Sequence, residues 1–280
     1  MIILIYNFSY FWIDYFWCIM QYIVFDIETS PLPFDSFSES QQEYLLRYAK
    51  DDEEVERKKA EMGLSPLTAQ VVCIGMARIS WDNSSGKYKS ESKIALCSSP
   101  TDEETIQSDE MNLFEKSKGR KYKVYKQENT NYYLSDEKWV INEFWSKLAK
   151  YPDATLISFN GRNFDAPFLM LRSALLGVRP SRNLMEGTRF NYSRHVDLLD
   201  ELTFYNGSSY GATRRFNFDF YARAFGLTSP KAEGIDGSKV SEYFHSGKIY
   251  SIAKYCMRDV AATFELFKIW NKYLNFGKNG

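Results

Sequence analysis

The stretch QYIVFDIETSPLP, residues 21–33, decides how this chain is read. Its β-branched and aromatic run predicts a buried strand over residues 22–28, yet that strand carries two acids, Asp26 and Glu28. Residues i and i+2 of a strand point to one face, so the two carboxylates project together. Two like charges that close repel, and one carboxyl acquires a raised pKa unless a cation neutralises the pair. The alternative is a strand that ends before Asp26 and leaves both acids in water.

Two further sites lie far along the chain. In SFNGRNFDAP (158–167) a strand over 154–159 ends at Asn160, the chain turns through Gly161, and Asp165 sits at the mouth of a helix that closes at Gly177. An Asp before Ala-Pro also reads as an ordinary N-cap. The two roles are compatible, because a capping carboxylate keeps one oxygen free. In IYSIAKYCMRDVAATFELF (249–267), Ile249, Ile252, Cys256, Val260, Thr263 and Phe267 define one apolar face at helical spacing. Asp259 falls inside the edge of that face, with Tyr255 one turn before it. A carboxylate there costs several kcal/mol unless it is paired or coordinates a cation, and Lys254 and Arg258 lie well round the wheel. Four acids from separate segments form an oxygen-only ligand set suited to hard divalent cations, Mg²⁺ or Mn²⁺. Two such ions about 3.5–4 Å apart are the usual apparatus for phosphodiester hydrolysis.

The rest of the chain supplies the frame. Strands are predicted at 71–79 and 92–98, joined by the turn WDNSSGK, with a short one in RHVDLL. A helix-prone polar insertion covers 35–63, and residues 99–134 read as a polar surface excursion. Ser135 has N-cap chemistry for a helix carrying Val140, Ile141, Phe144, Trp145 and Leu148. FNFDFYARAFGL predicts an amphipathic helix, and a last helix is predicted over 248–273. This order implies an α/β domain with a mixed sheet, spanning residues 20–275.

Composition narrows the function. The 280 residues are 44% hydrophobic and 25% charged with a net charge of −1, so a nucleic-acid partner has to be held by a local patch or by metal. One candidate patch is Arg172, Arg179, Arg182, Arg189 and Arg194, followed by Arg214 and Arg215. The alternative is arginines scattered on a solvated loop. Only two histidines, His195 and His245, are present, which removes most histidine-based schemes. Four cysteines without a CxxC pair point to buried free thiols in a reducing compartment. Residues 1–19 are apolar and aromatic but lack a basic n-region and a small-residue cleavage site, making a poor signal peptide and a marginal membrane span. The functional domain is therefore expected to begin at Met20, with a cytoplasmic location and no membrane partner.

Asp-x-Glu on a first strand, Asn-x3-Phe-Asp after a later strand and Tyr-x3-Asp on a C-terminal helix resemble the three exonuclease motifs of the DEDD (DnaQ-like) superfamily. More closely, the chain is similar to the stand-alone exonucleases related to the proofreading domains of family B DNA polymerases. That similarity extends through LSPLTAQVVCIGMA, HVDLLDELTFYNG and KAEGIDGSKVSEYFHSGKIYSIAKYCMRDVAAT, roughly residues 20–270. The resemblance implies a ribonuclease H-like, three-layer fold with a mixed five-stranded central sheet flanked by helices. It implies metal ligation by Asp26, Glu28, Asp165 and Asp259, and a water oriented by Tyr255. It implies substrate contacts from Thr29, Asn160, Phe164 and Lys231. The superfamily's His variant carries its histidine five residues before the last Asp, where this chain has Lys254, so the Tyr subclass is implied. Asp197 matches a recurrent position to which a structural role is assigned. Lys231 and Asp236 flank a glycine-containing loop that reads either as turn chemistry or as a backbone contact. The expected activity is two-metal 3′–5′ exonucleolysis releasing 5′-mononucleotides, with single-stranded or frayed DNA placed ahead of RNA. The alternatives are an exoribonuclease and a catalytically silent nucleic-acid-binding module of the same fold.

Overall fold

The computed structural model describes residues 20–100, 108–228 and 237–276. The expectations for residues 1–19, Lys231 and Asp236 lie outside them. The first strand, β1 (Gln21–Pro31), pairs antiparallel with β2 (Ala69–Asp82), and β2 pairs antiparallel with β3 (Lys87–Ser98). On its other edge β1 runs parallel to β7 (Thr155–Ser158), which runs parallel to β8 (His195–Asp197). These are the five expected strands.

The sheet nevertheless has eight strands among the described residues. Strand β6 (Thr130–Ser135) lies parallel to β3, β5 (Lys123–Gln127) pairs with β6, and β4 (Glu115–Lys116) pairs with β5, giving the order β4-β5-β6-β3-β2-β1-β7-β8. The excursion expected at 99–134 is thus partly sheet. Strands β4 and β5 are short and carry lysines, the composition that keeps a sheet edge from pairing with other chains, and β6 mixes polar and aromatic residues, which hides all three from a search for apolar runs. Only Tyr132, Leu134 and Ser135 of β6 are buried. Ser135 is also not a helix cap: its hydroxyl donates to the Lys121 carbonyl, while the Asp136 side chain accepts from the Trp139 N–H and caps α3 (Glu137–Ala149).

Helices cover both faces. On one face Ile23, Phe25 and Ile27 of β1 pack with Val140, Phe144 and Leu148 of α3 and with Ala166, Phe168 and Leu169 of α4 (Asp165–Leu175). A buried pair ties these two helices: Arg172 donates from Nε and Nη2 to Glu137 Oε1 and Oε2, both at 2.8 Å. On the other face Val24 packs with Ile252, Cys256, Val260 and Phe267 of the last helix. The alternation of β1 is what sends Asp26 and Glu28 to that second face.

Two short helices, α1 (Glu39–Leu46) and α2 (Asp52–Glu61), form the helix-prone insertion and bury none of their own residues. The remaining helices are α5 (Leu198–Leu202), α6 (Phe218–Ala224), α7 (Val240–His245) and α8 (Ile249–Tyr273). The short α7 was not anticipated. All six residues of the α8 apolar face are buried as the spacing predicted.

Candidate active site

Position 75 sets how closely α8 approaches β1. Gly75 of β2 stands opposite Asp26 in the antiparallel register. A Cβ there would lie 2.9 Å from Cys256 Sγ and 3.0 Å from Val260 Cγ2. With only hydrogen at that point, α8 lies close over the strand pair and brings Tyr255, Cys256 and Asp259 to the β1 acids. The Cys256 thiol lies 3.6 Å from Asp26 Oδ2 and 3.5 Å from the Asp26 carbonyl oxygen. Donor atoms of Asp26, Glu28 and Cys256 all fall within 4.8 Å of one another. Cys73 and Cys97 continue this thiol cluster, their sulfurs 3.9 Å apart, and all three cysteines are free and buried.

Asp165 arrives from the opposite flank. Pairing between β1 and β7 ends at Val24 and Ile157, so the Ile27 N–H has no strand partner on that edge. Asp165 Oδ1 accepts it at 3.0 Å, which ties the carboxylate to β1 within electrostatic reach of Asp26 and Glu28. Asp165 is therefore the first residue of α4 and not its cap; the cap position is Phe164, which contributes no side-chain bond. The approach depends on a tight loop. Asn160 has φ +61°, and a Cβ at Gly161 would fall 2.3 Å from Ser158 Oγ, a contact no larger residue tolerates without movement. Asp197 holds this loop from beneath, accepting from the N–H groups of Asn160 and Arg162, both at 2.8 Å, and from Leu199 at 3.0 Å. Its geometry is the structural role assigned to it, with both carboxylate oxygens occupied by backbone.

Burial and neighbouring acids dominate the electrostatics of Asp26, Glu28 and Asp165. Burial raises the Asp26 and Glu28 carboxyls well above the ordinary range, and the surrounding acids push in the same direction. Asp26 keeps some surface open to solvent while protein atoms crowd its carboxyl group. Asp165 is pushed up to about 7, first by burial and then by Asp197 and Asp259, against the lowering effect of its backbone hydrogen bonds. Tyr255 is raised by burial and by Glu28, Asp259 and Asp26, and its hydroxyl hydrogen-bonds the Asp259 carboxylate. The phenol stays protonated across the biological range. His195 is also buried, bonds Ser158 Oγ at 2.8 Å and is pushed down to about 3, so it is a neutral part of the core.

A cavity of about 280 Å³ opens over the cluster, lined by Asp26, Tyr255, Asp259 and Thr263 on one side and by Phe159, Asn217, Phe218, Asp219 and Gly237 on the other. The sequence did not single out the wall from α6. Nor did it single out Gly75 or Cys256, although a glycine inside an apolar strand was a signal of close approach. Asn160 and Phe164 lie in the loop that delivers Asp165, Phe164 half-buried with its ring 5.5 Å from Phe168. Thr29 follows a bulge in β1 and donates to the Gly63 carbonyl at 2.7 Å. Its hydroxyl ties the insertion to the strand. Most of the candidate arginines are committed internally: Arg172 to Glu137, Arg215 to Asp200, and Arg182 and Arg194 to carbonyls at 152–154. They do not form one phosphate-gripping patch. Among the described residues no helix is long and apolar enough to cross a membrane.

Residues 111–274 match a family described as "Predicted 3'-5' exonuclease related to the exonuclease domain of PolB". Among solved structures, the family B DNA polymerase from the hyperthermophilic archaeon Pyrobaculum calidifontis is similar at 18% identity and a TM-score of 0.48, over 90% of this chain and 24% of that one. The chain thus spans about a quarter of that polymerase. No curated protein matches.

Proposed function

The chain belongs to the predicted 3′–5′ exonucleases related to the exonuclease domain of PolB, and from that premise we propose that it hydrolyses terminal phosphodiester bonds at the 3′ ends of nucleic acid, DNA ahead of RNA, releasing 5′-mononucleotides. The observation that carries this reading is the convergence of Asp26, Glu28, Asp165 and Asp259 from a strand, a loop–helix junction and a distant helix, with the Asp26, Glu28 and Asp165 carboxyls raised by burial and by neighbouring acids. Buried carboxylates whose strongest charged neighbours are other carboxylates need cations to be stable as anions. An all-oxygen donor set fits Mg²⁺ or Mn²⁺, and these four residues would hold two such ions. When bound, the ions acidify water and offset the charge that develops on the phosphate and the departing 3′ oxygen.

The chain's own groups position the reactants. Asp165 is anchored by the Ile27 N–H through Oδ1, which leaves its second oxygen for a ligand role. Tyr255 keeps its proton and acts as a hydrogen-bond donor that orients the attacking water. That arrangement is the Tyr subclass of the four-acid site. The cavity beside the cluster, walled by Phe159 and Phe218, takes the terminal nucleotide, with Asn160 and Phe164 in the loop that delivers Asp165.

The test is the shortening of a 5′-labelled oligonucleotide with Mn²⁺ or Mg²⁺, in parallel arms of single-stranded DNA, duplex DNA and RNA. The expected result is a ladder descending one nucleotide at a time from the 3′ end, absent with chelator and absent for Asp26→Ala. Failure of the wild type to shorten any substrate, or equal cleavage by the variant, would overturn the reading.

A further inference from the structure

The α6 wall of the cavity continues outward as a run of aromatic rings. Phe218 and Tyr221 pack on Phe159, with centroids 4.9 and 5.5 Å away. Beyond them Phe216 contacts Tyr221 at 6.4 Å and stacks on Phe220, with centroids 4.2 Å and planes 13° apart. The Arg214 guanidinium lies 4.7 Å from the Phe216 centroid. Burial against Phe159 explains the inner rings through the hydrophobic effect. It does not explain Phe220, the outermost ring, which is 55% exposed and yet held flat against its neighbour.

We propose that Phe216 and Phe220, with Arg214, form a stacking platform for a base of single-stranded nucleic acid, upstream of the nucleotide in the catalytic cavity. This rests on the exonuclease reading and assigns its substrate class. A parallel ring pair matches the stacking mode of nucleobases, and every base offers a π-face, so the platform binds without selecting sequence. Asn217, Phe218 and Asp219, in the same short segment, line the cavity itself, so a strand leaving the cavity on that side meets the platform next. The exposed Arg214 supplies positive charge for the accompanying phosphate. Bases already stacked in a duplex cannot use such a surface, which makes single strands and frayed ends the preferred substrate.

The test compares wild type, Phe220→Ala and Phe220→Trp. Anisotropy of a labelled twelve-residue oligothymidylate in chelator measures binding without catalysis. The KM for that oligonucleotide and the hydrolysis of the p-nitrophenyl ester of thymidine 5′-monophosphate follow with Mn²⁺. Phe220→Ala is expected to weaken oligonucleotide binding and raise KM roughly tenfold, with kcat and ester hydrolysis unchanged. Phe220→Trp is expected to restore both and to show fluorescence quenching on binding. Unchanged binding by Phe220→Ala, a parallel loss on the small ester, or no binding by the wild type would each overturn the platform. Binding that depends on Phe220 without any cleavage by the wild type would instead remove the exonuclease reading and leave the platform standing.

Discussion

Replacing Asp165 with asparagine should stabilise the metal-free protein while abolishing its activity. The side chain is 4% exposed and its carboxyl titrates near 7, not 3.8. A group whose folded pKa is raised binds its proton more tightly in the folded state, so stability is full below about 3.8 and is lost as pH rises through the window to about 7. At 1.36 kcal/mol per pH unit, ionising the buried carboxyl costs about 4 kcal/mol at pH 8 and about 1.5 kcal/mol at pH 5. Asparagine keeps an oxygen to accept the Ile27 N–H, so the bond at 3.0 Å survives and the charge alone is removed. For a domain of this size the gain corresponds to roughly 10 °C in Tm at pH 8. Thermal unfolding in chelator at pH 8, 5 and 4 measures it, with the gap closing toward pH 4. Adding Mn²⁺ should then narrow the gap, because ligand at a hundredfold over Kd stabilises the wild type by about 2.7 kcal/mol and the variant lacks one ligand. An Asp165→Asn protein that melts at or below the wild type at pH 8, with a gap independent of pH, would refute the account of Asp165 as a buried carboxyl whose ionisation the fold opposes.

Gly75→Val should lower stability by about 1–3 kcal/mol through overpacking and reduce kcat more than tenfold, because the added carbons meet Cys256 and Val260 and lift α8 from β1. Unfolding in urea and single-turnover cleavage check the two effects. Tyr255→Phe removes the hydroxyl bonded to Asp259 and is expected to cut kcat about a hundredfold, with KM and Mn²⁺-induced stabilisation retained; a matching loss of metal stabilisation would contradict a positioning role. Glu137→Ala strands Arg172, whose side chain is only 11% exposed, and should cost about 3–5 kcal/mol. A double replacement of Glu137 and Arg172 by leucine and methionine should recover much of that loss in the same denaturant titration.

The five strands around the site were legible because each is a compact apolar run with turn residues at its ends. The last helix was legible because its apolar period persists over seven turns. Strands β4 to β6 were not, since they are short and polar or mixed in composition toward that end of the sheet, and Ser135 and Asp136 are both competent caps in sequence. Asp165 shows the limit from another side: its position before Ala-Pro satisfied a local rule, but the tertiary structure gives its carboxylate to Ile27, 138 residues away. A strand N–H left open where β7 turns off is invisible until the strands are placed.

By itself the sequence picked out the four acids and Tyr255 as candidate site residues. Two acids at i and i+2 of an apolar strand and one inside an apolar helix face are costly positions, and that cost is a property of local periodicity, whereas the acid before a helix was locally unremarkable. Only the tertiary structure decided how they meet. The closeness of α8 to β1 depends on a missing Cβ at Gly75, the loop that delivers Asp165 hangs on the two oxygens of Asp197, and the cavity wall comes from α6. These are contacts between segments remote in the chain, and packing at that range is set by steric fit across elements, which no single element's pattern encodes.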